Sequence, residues 1–112
     1  MEYSQGQILH LKNLTDFNNI KSNSKLIIKV GADWCNPCKK ITPLYTQFAE
    51  NNSNPNIIYA EINSTDADEE LLDFIEVKSL PTFLFYDDKQ LTNRIVGSDK
   101  IELSECINNL YI

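Results

Sequence analysis

Two cysteines stand at i and i+3 in the run Trp34-Cys35-Asn36-Pro37-Cys38-Lys39. They follow an apolar stretch and head a segment with helical spacing. Across a single turn two sulfurs reach each other, so a disulfide between them can open and close. A cysteine in the first turn of a helix also meets the positive end of the helix dipole and unpaired N–H groups, which favour thiolate over thiol. Thiolate is the form that attacks a disulfide. These residue types at this spacing point to a redox dithiol. The competing chemistry is half of a zinc site, which needs two more ligands. Cys106, on a helical apolar stripe, and His10, in a strand-like run, are the candidates for those positions.

Such a pair requires a stiff strand before it and a helix after it. Leu26-Ile27-Ile28-Lys29-Val30 is the strand, apolar enough to be covered on both faces. The helix is expected from about Cys35 to Glu50, with Ile41, Leu44, Tyr45, Phe48 and Ala49 at helical spacing. Pro43 lies in its interior, where proline costs roughly 3 kcal/mol unless the helix bends. Upstream, Gln7 to Leu11 reads as a short strand, and Thr15 or Asp16 as the cap of a short helix reaching Ile20. Downstream come a strand at Ile57 to Ile62 and an acidic helix opened by Ser64-Thr65-Asp66, with Leu71, Leu72 and Ile75 inward. Its acidic run, Asp66 to Glu70, reads as a solvated face. A hairpin follows, Thr82 to Tyr86 and Gln90 to Val96 around Asp87-Asp88-Lys89, with Phe83, Phe85 and Tyr86 as core or sheet-face aromatics. Asp99 and Glu102 have capping-box spacing before a last helix carrying Leu103, Cys106, Ile107 and Leu110. The order β-α-β-α-β-α-β-β-α packs most simply as one mixed sheet with helices on both faces.

At 112 residues the chain is expected to be a single domain, 1–112, able to bury a core without disulfide staples. Its 16 acidic against 10 basic residues, net −6, argue against nucleic acid or an anionic membrane as partner. An odd count of three cysteines does not suit a disulfide framework and suits a reducing, cytoplasmic compartment. Met1 to Gly6 lacks the basic and apolar regions of a secretory leader, and no apolar run approaches the ~20 residues of a membrane helix.

Four features in order carry a resemblance to the thioredoxin family: the Trp34 to Lys39 run, Pro43, Leu80-Pro81-Thr82 and Val96-Gly97. The resemblance implies an α/β thioredoxin fold, a central mixed β-sheet of about five strands flanked by about four helices in three α/β/α layers. It also implies a thiol-disulfide oxidoreductase that reduces protein disulfides through a reversible Cys35/Cys38 dithiol, with no bound cofactor. In such proteins Cys35 is the exposed nucleophile, and Cys38, one turn in and shielded, resolves the mixed disulfide. Pro81 is expected to be a cis-proline lying against the dithiol. Trp34, Asn36, Pro37, Leu80, Thr82 and Gly97 are the implied substrate-binding surface. The implied partners are disulfide-containing proteins (peroxiredoxin, methionine sulfoxide reductase or ribonucleotide reductase) and an NADPH-dependent flavoprotein reductase, met as a monomer.

The chain departs from the family at three places. The family's buried aspartate, six residues before the first cysteine, helps to deprotonate the resolving thiol; here that position is Lys29. An ammonium has no lone pair to accept a proton, so Lys29 is a tuning candidate acting through charge, unless it snorkels to the sheet edge. Asn36 replaces the usual glycine between the thiols, and Gly31 stands where tryptophan is common. The loss of the aspartate gives weight to a second function class, a thioredoxin-fold binding or structural subunit with a vestigial dithiol. A net oxidant or isomerase would normally carry a secretory leader. Cys106 reads as a small core residue and His10 as a partly buried spectator.

Overall fold

The computed structural model describes residues 6–112; positions 1–5, on which the expected absence of a leader largely rests, lie outside the described residues. The elements are β1 (Ile8–His10), α1 (Leu14–Asn18), β2 (Lys25–Gly31), α2 (Asn36–Glu50), β3 (Ile57–Asn63), α3 (Glu69–Ile75), β4 (Thr82–Asp87), β5 (Gln90–Val96) and α4 (Lys100–Asn109). Their order is the one the sequence predicts. The strands form one sheet, β1-β3-β2-β4-β5. β3 runs parallel to β1 and β2, β4 antiparallel to β2, and β5 antiparallel to β4.

Side-chain alternation along β2 divides the core in two. Leu26, Ile28 and Val30 pack with Phe17 of α1 and with Leu71 and Ile75 of α3. Ile27 packs on the opposite face with Ile41, Tyr45 and Ala49 of α2 and with Leu103 and Ile107 of α4. Each fully buried Leu, Ile or Val contributes about 1.5–3 kcal/mol. Two helices thus cover each face, and Lys29 falls on the α2 face with Ile27.

Several boundaries differ from expectation for local reasons. The cap of α1 is Asn13, whose side chain accepts the Asp16 amide at 2.9 Å, while Asp16 reaches back to the Lys12 amide at 2.8 Å. Asp16 is therefore the reciprocal partner of the cap rather than the cap, and α1 ends at Asn18, short of Ile20. α3 begins at Glu69, not at Ser64. The intervening residues form a turn around Asn63, whose side-chain oxygen takes the Thr65 amide at 3.1 Å and whose carbonyl takes the Asp66 amide at 3.1 Å. Side-chain oxygens that bond nearby amides compete with helix in this way. The hairpin closes through Asp88 and Lys89, both at positive φ (49° and 66°), as a primed two-residue turn requires. Asp99 accepts the amides of Ile101 and Glu102 at the head of α4, as its spacing predicts.

Tyr45 ties α2 to the sheet. Its buried hydroxyl lies 2.7 Å from the Ala60 carbonyl and 3.0 Å from the Ile27 carbonyl, and accepts the Ala60 amide at 3.2 Å. Burial holds this phenol well above the usual tyrosine range. An unfolded tyrosine ionises near ~10, whereas the folded one stays neutral. Its contribution is fully present below that pH and is lost as pH rises beyond it. Tyr45→Phe should cost about 1–3 kcal/mol in urea denaturation, because buried backbone groups lose their partner. The same variant should soften the alkaline loss of stability that the parent shows from about pH 10 upward.

Candidate redox site

β2 ends at Gly31, and after three intervening residues the chain enters α2 through Cys35. Cys35 is the N-cap, with extended backbone (φ −89°, ψ 105°), and Pro37 sits in the first turn, where its missing N–H costs nothing. The Cys35 sulfur accepts the Cys38 amide at 3.2 Å. A thiolate there would be held by an otherwise orphaned helix N–H and by the helix dipole. Cys35 and Cys38 are joined in a disulfide, with Cα atoms 5.3 Å apart.

The expected difference in exposure is not present in this state. Cys35 and Cys38 are both buried, each only 4% accessible. In the disulfide the Cys35 sulfur is bonded to its partner, and its place at the helix tip does not make it accessible. Trp34 beside it is 68% exposed, a flat apolar surface at the rim.

The cis peptide expected at Leu80-Pro81 is found. The register Val30↔Thr82 sets Pro81 beside the end of β2 from which α2 springs. The Pro81 carbonyl accepts the Gly97 amide at 2.8 Å, and Thr82 Oγ1 donates to the Ser79 carbonyl at 2.6 Å. Gly97 needs its lack of a side chain for its φ of +105°, not for space. Trp34 and Leu80 line one apolar groove with Val30, Leu72 and Val77. Asn36 and Pro37 are exposed on the same helix tip.

Lys29 is not a snorkelling edge residue. It is only 8% accessible in the central strand. Its Nζ donates to Thr42 Oγ1 at 2.9 Å and lies 3.4 Å from Glu61 Oε2. Thr42 Oγ1 donates in turn to the Cys38 carbonyl at 2.7 Å. His10 is exposed rather than partly buried and has a partner: its Nδ1 lies 2.8 Å from Glu61 Oε1. The registers His10↔Glu61 and Lys29↔Glu61 set all three in one row across the sheet. Lys29, Gly31, Cys38, Thr42 and Glu61 share the wall of one cleft of about 500 Å³. A Cβ on Gly31 would stand 3.3 Å from the Cys38 sulfur, so a side chain there would crowd it.

Glu61 and Thr42 are functional candidates that the motif search missed. The signal was available, since Lys29 and Glu61 are opposite charges inside the otherwise apolar runs Leu26 to Val30 and Ile57 to Ile62. Cys106 lies half-buried at the rim of its stripe, 3.4 Å from Asn93 Nδ2. Burial, then the carboxylate of Glu102, pushes its thiol up and away from reactivity. Among the described residues no three metal-ligating side chains converge, and no helix is long and apolar enough to cross a membrane.

Breaking the central pair should orphan a largely buried charge. Lys29→Met alone should cost about 1–3 kcal/mol in denaturant titration, less than a fully buried pair because Glu61 keeps some solvent. The Lys29→Met/Glu61→Gln double variant should recover most of that loss, giving a clear coupling term in the cycle.

Comparison with known proteins gives this geometry its relatives. The family model for thioredoxin matches residues 8–109. Mitochondrial thioredoxin-3 of Saccharomyces cerevisiae is 34% identical over 108 residues, 96% of this chain and 83% of that protein. A thioredoxin of Ophiophagus hannah is 36% identical over 97 residues, 84% of this chain and 90% of that one. The crystal structure of oxidised yeast mitochondrial thioredoxin 3 superposes with a TM-score of 0.79 at 33% identity, covering 91% of this chain and 94% of that one.

Proposed function

The chain belongs to the thioredoxin family, and from that premise we propose the roles of its residues in the catalytic cycle. It is a thiol-disulfide oxidoreductase acting on protein disulfides through Cys35 and Cys38. Residues 1–112 work as one thioredoxin-like domain. The Cys35 thiolate attacks one sulfur of a substrate disulfide; that S–S bond breaks, and the displaced sulfur leaves with the electron pair and takes a proton. Cys38, as thiolate, then attacks the Cys35 sulfur and releases the second substrate thiol, leaving the Cys35–Cys38 disulfide. Two electrons pass to the substrate. An NADPH-dependent flavoprotein reductase returns them, and no bound cofactor takes part.

The observation that carries the assignment of Cys35 as nucleophile is the Cys38 amide held on its sulfur at the tip of α2. Cys38 resolves from one turn inside the helix. Trp34, Asn36, Pro37, Leu80 and Gly97 surround the pair as the docking surface, and Thr82, expected there too, is buried at 1% accessible and supports it from beneath. Pro81, lacking an N–H, leaves the Leu80 backbone groups free for a substrate strand. Lys29 tunes the pair by its charge, through the Thr42 link to the first turn of α2. The protein works as a monomer in the cytoplasm; the mitochondrial name of the yeast relative makes cell fractionation the deciding measurement.

Insulin reduction with dithiothreitol should show robust turnover, abolished by Cys35→Ser and unaffected by Cys106→Ser. Cys38→Ser should accumulate the mixed disulfide with substrate. In the reduced protein, alkylation should be fastest at Cys35; equal, slow labelling of all three thiols would overturn the nucleophile assignment. Lys29→Asp should change both the equilibrium potential against glutathione and the second-order rate. Unchanged values would remove Lys29 from the tuning role.

A further inference from the structure

We propose that Glu61 is the proton acceptor for the Cys38 thiol, held in place by Lys29 across the strand pair. This rests on the dithiol cycle above. The resolving step requires Cys38 to lose a proton, because the neutral thiol is not the attacking species. The charged side chains on the cleft that reaches Cys38 are Lys29 from β2, Glu61 from β3, Lys39 from α2 and Asp33 from the loop between β2 and α2. Both ammonium groups lack a lone pair. Of the two carboxylates, Asp33 is on an exposed loop, 3.3 Å from Asn63 Nδ2. Glu61 stands on a rigid inner strand with 27% of its side chain accessible, and each oxygen faces a defined partner, His10 on one side and Lys29 on the other.

Three further features connect that carboxylate with Cys38. Gly31 and Cys38 both line the cleft, and a Cβ on Gly31 would crowd the sulfur at 3.3 Å. The chain Glu61–Lys29–Thr42–Cys38 carbonyl fixes the carboxylate relative to the turn bearing the thiol. A cleft of about 500 Å³ has room for water, and a general base can act through one water. The proton passes from Cys38 Sγ through that water to a Glu61 oxygen. The electron pair left on Sγ forms the bond to Cys35 Sγ, and the bond from Cys35 to the substrate sulfur breaks. The departing sulfur keeps the pair and takes a proton from solvent. When the disulfide is reduced again, the Glu61 proton returns to Cys38. The carboxylate that the family carries on β2 has in effect moved to β3, with the cation in its former place.

The test uses the full reduced chain in a Cys106→Ser background, mixed with an aryl disulfide that releases a coloured thiolate at each displacement. The first phase reads attack by Cys35 and the second reads resolution by Cys38. Glu61→Gln should slow the second phase about 100-fold near neutral pH, the lower end of the usual scale of general-base assistance. The deficit should close as pH rises and the thiol ionises unaided. The Lys29→Met/Glu61→Gln variant, which leaves no orphaned ammonium, should show the same deficit; Glu61→Asp should recover part of the rate, and Asp33→Asn none of the defect. A parental second phase and pH profile in the double variant would overturn the proposal while the two-phase cycle stood. Absence of the second phase in the unsubstituted chain would instead overturn the cycle itself.

Discussion

An amide proton pointing at a sulfur sets the chemistry of this chain. The Cys38 N–H rests on Cys35 Sγ, which makes the reactive sulfur the cap of α2 and exposes it to the electropositive end of a 15-residue helix. The remaining structure keeps that contact in register with the sheet. β2, apolar on both faces, fixes where the loop leaves, Tyr45 fastens α2 to β2 and β3, and Pro37 enters the helix where a proline is tolerated. Loosening any of these would move the helix tip relative to the end of β2 and separate the sulfur from its donor.

Charge placement around the inner sulfur is the second determinant. Lys29 replaces the carboxylate expected in the middle of the sheet, yet the site remains electrostatically balanced because Glu61 faces it from the neighbouring strand. A buried ammonium alone would be costly; paired, and hydrogen-bonded to Thr42, it is compatible with a central strand. The exchange explains how a chain lacking the family aspartate retains a dithiol site with both an acceptor and a cation within one cleft.

The dithiol and the element order, unlike the cis-proline that came from the family resemblance, were legible because each is written in local sequence, as a spacing and a period. The α3 boundary was not, because Asn63 competes for the Thr65 and Asp66 amides and delays the helix. Nor was the equal burial of the two cysteines in the disulfide, which position along the helix does not convey. The contact of His10 with Glu61 escaped notice because its meaning lies in strand pairing, and a parallel crossover separates partners by tens of residues.

The row His10–Glu61–Lys29 has a consequence for assembly of the sheet. Sliding β2 by one residue would swing the ammonium to the opposite layer, among Leu71 and Ile75, with no carboxylate opposite it. The flanking isoleucines discriminate weakly, since Ile27 and Ile28 are each buried on their own side. The ionic pair therefore acts as an alignment pin, rejecting strand offsets that the surrounding hydrocarbon would tolerate.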